Sequence, residues 1–182
     1  RLIFILPKVW KAKGGQLVID IPKREDIKII PAAAYFSNSH YFLIRGLLKG
    51  WMPAAKGIIK QQSKSGDILY TAIEPNLLTT YFNSKLAKKL GLKHVFFTWQ
   101  NISYKTRLSG PKLKITEWLI RKTIANSAGA ICGNAKAAEI LKEYAGKNFK
   151  ILVAPISVVD VKTFHPDITS DFRKKYGLEG KT

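Results

Sequence analysis

The chain is poor in cysteine, in acid and in long apolar runs. Among its 182 residues there is one cysteine, Cys132. A lone cysteine forms no internal disulfide and no cysteine-based metal site. Its place inside an apolar run reads as a buried, inert thiol in a reducing compartment. The histidines His40, His94 and His165 lie far apart and flank no acidic cluster, so no metal site is expected. No uninterrupted apolar run approaches the roughly 20 residues a membrane-spanning helix needs. The chain opens on Arg1, without an initiator Met. The apolar Leu2–Leu6 is followed by no small-residue cleavage site and reads as a strand.

The shortage of acid is the strongest compositional fact. Lys and Arg number 31 against 12 Asp and Glu, a net charge of +19. Residues 27–66 hold no acid and six basic side chains, Lys28, Arg45, Lys49, Lys56, Lys60 and Lys64. Residues 75–116 hold no acid and eight, Lys85, Lys88, Lys89, Lys93, Lys105, Arg107, Lys112 and Lys114. Such a field favours an anionic partner, whether nucleic acid, an anionic lipid surface or a phosphorylated substrate.

What is present has the rhythm of an α/β domain. Short apolar strands are expected at 2–6, 17–21 and 27–30, with a loop over Lys8–Gly15. There Gly14 and Gly15 either turn the chain or let its backbone approach a ligand. Residues 38–65 have a helical pattern broken at Pro53. On an unbroken helix the basic residues from Arg45 to Lys64 would fall within an arc of roughly 100°. That stripe is either a solvated face or one laid on anionic headgroups. A strand at 67–73, a helix at 77–90 capped by Asn76 and stopped by Gly91, and the strand 94–98 make a βαβ unit with parallel strands. A right-handed crossover brings Glu74 and Gln100 to one edge of the sheet. A polar loop at 102–111, a helix at 112–127, a strand at 128–133, a helix capped by Asn134 and a strand at 149–154 complete a doubly wound, Rossmann-like three-layer α/β/α domain with a mostly parallel sheet. It spans residues 1–155, and 156–182 read as a linker with a short helix.

The stretch His94-Val95-Phe96-Phe97-Thr98-Trp99-Gln100-Asn101 anchors the functional reading. Ligands of open α/β sheets sit beyond the carboxyl ends of the strands, so Trp99, Gln100 and Asn101 are expected at a cleft floor. Trp99 is a stacking plane or a core aromatic, and Glu74 an acceptor-binding carboxylate or the cap of a turn. No pair of carboxylates is placed as a self-contained glycosidase pair.

Three stretches carry a family resemblance. Ala130-Ile131-Cys132-Gly133-Asn134 followed by a helix resembles the strand, Ser or Asn, helix step of family 4 (group 1) glycosyltransferases. Val153-Ala154-Pro155 through Val159-Asp160-Val161-Lys162-Thr163-Phe164-His165-Pro166 resembles that family's interdomain linker. Phe172-Arg173-Lys174-Lys175-Tyr176-Gly177-Leu178 resembles its next short helix. Val158 stands where the linker normally has Gly, and Gln100 where many members have His. Gln exchanges no proton near neutral pH. The family's usual start is not recognisable, and Leu2–Leu6 fits its second strand as well as its first, so upstream residues are expected.

The resemblance implies one half of a GT-B fold, the N-terminal acceptor-binding domain of a retaining glycosyltransferase. The partner would be a C-terminal domain holding a UDP- or GDP-linked sugar donor, with no cofactor. With the basic residues beside it, the expected acceptor is a lipid-linked or phosphorylated glycan, met at the cytoplasmic face of the membrane by a peripherally associated protein, and the fragment alone would be inactive. The acceptor-binding candidates are Gly14, Gly15, Glu74, Trp99, Gln100, Asn101, Lys105 and Arg107, with Glu74 and Gln100 facing the cleft. Arg45, Lys49, Lys56 and Lys60 are the candidates for membrane or phosphate contact, and Pro155 and Asp160 mark the linker. The competing reading is a basic nucleic-acid-binding α/β module. It lacks a recognised motif, and the aromatics are not interleaved with basic residues, so no nucleic acid is expected.

Overall fold

The computed structural model describes residues 1–12, 15–18, 21, 25–37, 47–155 and 172–178. Their elements run β1 (Leu2–Pro7), β2 (Val9–Ala12), β3 (Gly15–Val18), β4 (Ile27–Ala32), α1 (Ala55–Gln62), β5 (Ile68–Thr71), α2 (Leu78–Lys89), β6 (Lys93–Thr98), α3 (Tyr104–Arg107), α4 (Gly110–Ala125), β7 (Gly129–Cys132), α5 (Ala135–Lys142), β8 (Lys150–Val153) and α6 (Phe172–Lys175). Strands β5, β6, β7 and β8 form a parallel sheet in chain order. Strands β1 and β4 form a separate parallel pair, and β2 and β3 an antiparallel hairpin. The alternation of strand and helix in a parallel sheet is the Rossmann-like arrangement expected.

The four-stranded sheet is covered on one face. Leu69, His94, Phe96, Thr98, Ala130, Cys132 and Ile151 share that face by register. Phe96, Ala130 and Cys132 pack with Ile120 and Ile124 of α4 and with Ala137, Ala138, Ile140 and Leu141 of α5. Leu69 packs with Ile59 of α1 and with Leu86 and Ala87 of α2. Burying side chains as large as Phe96 and Ile120 stabilises by roughly 1.5–3 kcal/mol each. Neighbouring strands in chain order, joined by right-handed crossovers, send every connecting helix to the same side. The opposite face carries Ile68, Tyr70, Val95, Phe97, Ile131 and Leu152. Ile68 and Leu152 are 68% and 60% exposed, and of the six only Phe97 is buried. The expected double winding with three layers is therefore not formed by the described elements around this sheet, because its strand order never reverses.

Strands β1 and β4 begin at the end of the molecule where β5 begins. Gln62, at the last turn of α1 and a short turn before β5, accepts hydrogen bonds from Arg1 at 3.3 Å and Lys28 at 3.1 Å. Ile5 of β1 reaches the cluster that holds Leu69.

Several local expectations are corrected. The loop over Lys8–Gly15 contains a strand, and 15–18 is its hairpin partner. The basic stretch is broken as expected, but the turn lies ahead of Pro53. The chain turns at Gly50, with φ +67, and Trp51 bridges to Tyr35 before α1 starts at Ala55. Among the described residues, the basic side chains are therefore not carried by one helix. Lys49 lies over the Trp10 ring, while Lys56 and Lys60 sit on α1. Asn76 does not cap α2, which starts from Leu77 without a side-chain cap. On α4 the spacing of Leu113, Ile115, Trp118, Leu119 and Ile124 reads as an apolar core face, but Ile115 and Trp118 are exposed, and the buried line is Thr116, Leu119, Ile120, Thr123 and Ile124. Asn134 does cap α5, its Oδ1 accepting from the Ala137 N–H at 2.8 Å. Gly91, with φ +68, ends α2 as expected.

Candidate functional site

Glu74 follows β5, and its carboxylate clasps the end of β6. Thr98 Oγ1 donates to it at 2.6 Å and the Trp99 N–H at 2.7 Å. The crossover through α2 brings these residues together, as the βαβ reading requires. Burial raises the Glu74 pKa, and the two hydrogen bonds partly offset the rise. The carboxyl group is thus both a clamp on the strand end and a base of increased strength. Each oxygen takes one protein hydrogen bond and keeps acceptor capacity for another.

Trp99 lies beside this clamp, 45% exposed, tilted against Phe97 at 6.1 Å and seated over Gly133. It is neither a core aromatic nor a free one. Gln100 is engaged at both ends of its amide, donating to the Ile102 carbonyl and accepting from Arg107 at 3.4 Å. It folds its own loop back and brings Arg107 to the same place. Asn101 is exposed and open. Lys105 leaves the group: its ammonium pairs with Glu143 at 2.8 Å. The pair is exposed and contributes little. Gly15, with φ +135, opens the return strand of the hairpin, which is its turning role. Gly14, Arg45 and Asp160 lie outside the described residues, and Pro155 is exposed just after β8.

The site contains residues that the sequence reading passed over. Thr98 is one. Tyr104 is another, buried on α3 with a hydroxyl that has no partner. Burial raises its pKa and the Glu74 charge raises it further, so the phenol stays protonated. Cys132 ends β7 at the same edge. Its thiol is pushed up to about 11 by burial, with the Glu74 charge adding to the rise. At neutral pH, thiol-specific labelling of the folded chain is expected to be about a hundredfold slower than in denaturant. Equal rates would contradict the burial. Among the described residues, no three His, Cys, Asp or Glu side chains group to hold a metal ion, and no helix is long and apolar enough to cross a membrane.

A second feature lies between α1 and α2. A cleft of about 460 Å³ is lined by Trp51, Met52, Pro53, Phe82 and Leu86, and by Lys56, Lys60, Lys85 and Lys89. Two of these lysines were expected as phosphate contacts. Lys85 and Lys89, on α2, form the facing wall. The signal available in the sequence was the matching four-residue spacing of each pair.

No protein-family model and no curated protein matches the chain.

Proposed function

We propose that this chain is the acceptor-binding half of a retaining GT-B glycosyltransferase, working with a donor-binding domain on an acceptor hydroxyl at an anionic membrane surface. The observation that carries the reading is the clamp of Glu74 on Thr98 and Trp99. It puts a base with a raised pKa, an exposed indole face and the Arg107 guanidinium beyond the carboxyl ends of parallel strands. This is where an open α/β sheet binds ligands. In this reading Trp99 stacks on an acceptor sugar, and Arg107 faces an acceptor phosphate. A free lone pair of Glu74 accepts the hydroxyl to be glycosylated. Gln100 positions Arg107 and moves no proton. The bare face with Ile68, Tyr70 and Leu152 is where a third layer would lie, as a three-layer domain requires. The donor, a UDP- or GDP-linked sugar, would be held by the second domain.

The test uses the full-length gene product with nucleotide sugars and a lipid extract as acceptor source. Acceptor-dependent release of nucleoside diphosphate is expected. Trp99→Leu should lower kcat/KM for the acceptor by about three- to tenfold and leave the donor KM unchanged. No release from any nucleotide sugar, or an unchanged acceptor kcat/KM in a folded Trp99→Leu protein, would overturn the reading.

A further inference from the structure

We infer that the cleft between α1 and α2 binds the phosphate of a single anionic lipid, with the start of its apolar chain on the cleft floor. The proposal deepens the membrane contact in the reading above and does not depend on sugar transfer.

The argument begins with spacing. Lys56 and Lys60 are one turn apart on α1, and Lys85 and Lys89 are one turn apart on α2. Each pair therefore shares a helix face, and both pairs line one cleft. Like charges at this spacing weaken a helix. No carboxylate lines the cleft, and none of the four lysines makes a salt bridge among the described residues. Among the described residues, nothing neutralises this concentration of positive charge. Lys85 also lies over the Tyr81 ring at 5.6 Å, which holds it on the wall.

The floor decides the kind of anion. Trp51, Met52, Pro53, Phe82 and Leu86 are apolar, and Phe82 and Trp51 remain 47% and 38% exposed. A nucleic-acid backbone or free phosphate leaves such a surface unused. A phosphate carried on an acyl or prenyl chain satisfies lysines and floor together. The aromatics and lysines are the combination that holds a protein in a membrane interface. The volume of about 460 Å³ suits one headgroup with its first methylenes rather than an extended polymer.

The experiment is co-sedimentation of the whole chain with phosphatidylcholine vesicles, with and without phosphatidylglycerol. Binding is expected only to the anionic vesicles. The double variant Lys85→Gln/Lys89→Gln should bind them about thirtyfold more weakly. Lys114→Gln/Lys122→Gln removes the same charge from α4 and should change binding less than about twofold by the same argument. The exposed Phe82→Ala should weaken vesicle binding and leave folding intact. Soluble dihexanoyl phosphatidic acid should compete, and inorganic phosphate should not. Equal losses from the two lysine pairs would mean a diffuse field and overturn the site. Competition by inorganic phosphate, or displacement of vesicles by RNA, would overturn the lipid assignment. Loss of lipid binding with transferase turnover on a soluble acceptor intact would separate this proposal from the catalytic one.

Discussion

Acidification from neutral pH to about 4 is expected to remove roughly 3 kcal/mol of stability through His94 alone. The side chain is 1% exposed, and burial lowers its pKa from 6.5 to about 4. Its partners specify the neutral ring. Ser127 Oγ donates to the Thr123 carbonyl at 2.7 Å, so at 2.7 Å from His94 Nδ1 it acts as acceptor. Nδ1 therefore carries the proton, and Nε2 accepts from Thr71 Oγ1 at 3.0 Å. Thr71 Oγ1 in turn accepts from Asn83 at 3.4 Å. A second ring proton would face the Thr71 hydroxyl proton and leave one of them without an acceptor. Between the two pKa values the unfolded chain binds a proton that the folded chain refuses. Stability is therefore whole above about 6.5 and lost as pH falls toward about 4.

Glu74 works in the opposite direction. Its raised pKa means that the folded state takes up a proton first as pH falls, which adds stability in that window. Comparison with His94→Asn isolates the histidine. Urea unfolding of the wild type at several pH values should show the loss, and the variant should be less stable at neutral pH with a flatter profile. An unchanged slope in the variant would place the acid sensitivity elsewhere. The tie of His94 from β5 across to the end of α4 was not visible from a single apolar run.

The elements legible in the sequence were those whose signals are local. The run 94–98 reads as a buried strand because the apolar Val95, Phe96 and Phe97 end at Thr98. Asn134 reads as a cap because a small-residue strand stops just before a helix. What failed depended on neighbours distant in sequence. The basic stretch from Arg45 to Lys64 was expected to break at Pro53. The chain instead breaks where Gly50 lies against Trp10, with a Cβ there only 3.1 Å from the indole. Ile115 and Trp118 have helical spacing with Leu119 but point off the sheet, because Thr116 and Thr123 take the buried positions. Thr123 can do so because its hydroxyl donates to the Pro75 carbonyl at 3.1 Å. Of the site, Glu74 and Trp99 were legible from strand ends. The commitments of Gln100 to Arg107 and of Lys105 to Glu143 were not, since both depend on how the loop after β6 folds back.

Gly133→Ala is expected to destabilise the chain by about 1–3 kcal/mol and to move Trp99. A Cβ at position 133 would lie 2.1 Å from Trp99 Cε3 and 2.4 Å from Cζ3, distances no packing tolerates. Neither backbone yields easily. The Trp99 N–H is held by Glu74 at 2.7 Å, and the Gly133 N–H donates to the Thr98 carbonyl at 3.0 Å. The indole must therefore swing toward solvent, and because it is already half exposed the cost should fall in the lower part of the range. The consequence is larger for the site than for the fold, since the aromatic plane leaves the place where the clamp presents it. The shift should appear as a displaced Trp99 indole N–H resonance, assigned by its absence in Trp99→Leu. Leucine at 99 should also relieve the clash, so the Gly133→Ala penalty should shrink by about 1 kcal/mol or more in the Trp99→Leu background. An equal penalty in both backgrounds, with the indole resonance unmoved, would show that Gly133 is glycine for some reason other than the seat of Trp99. With the coupling observed, the small residue after Cys132 and the aromatic after Thr98 form one unit across β6 and β7, and the stacking plane at the sheet edge exists because a side chain is absent beneath it.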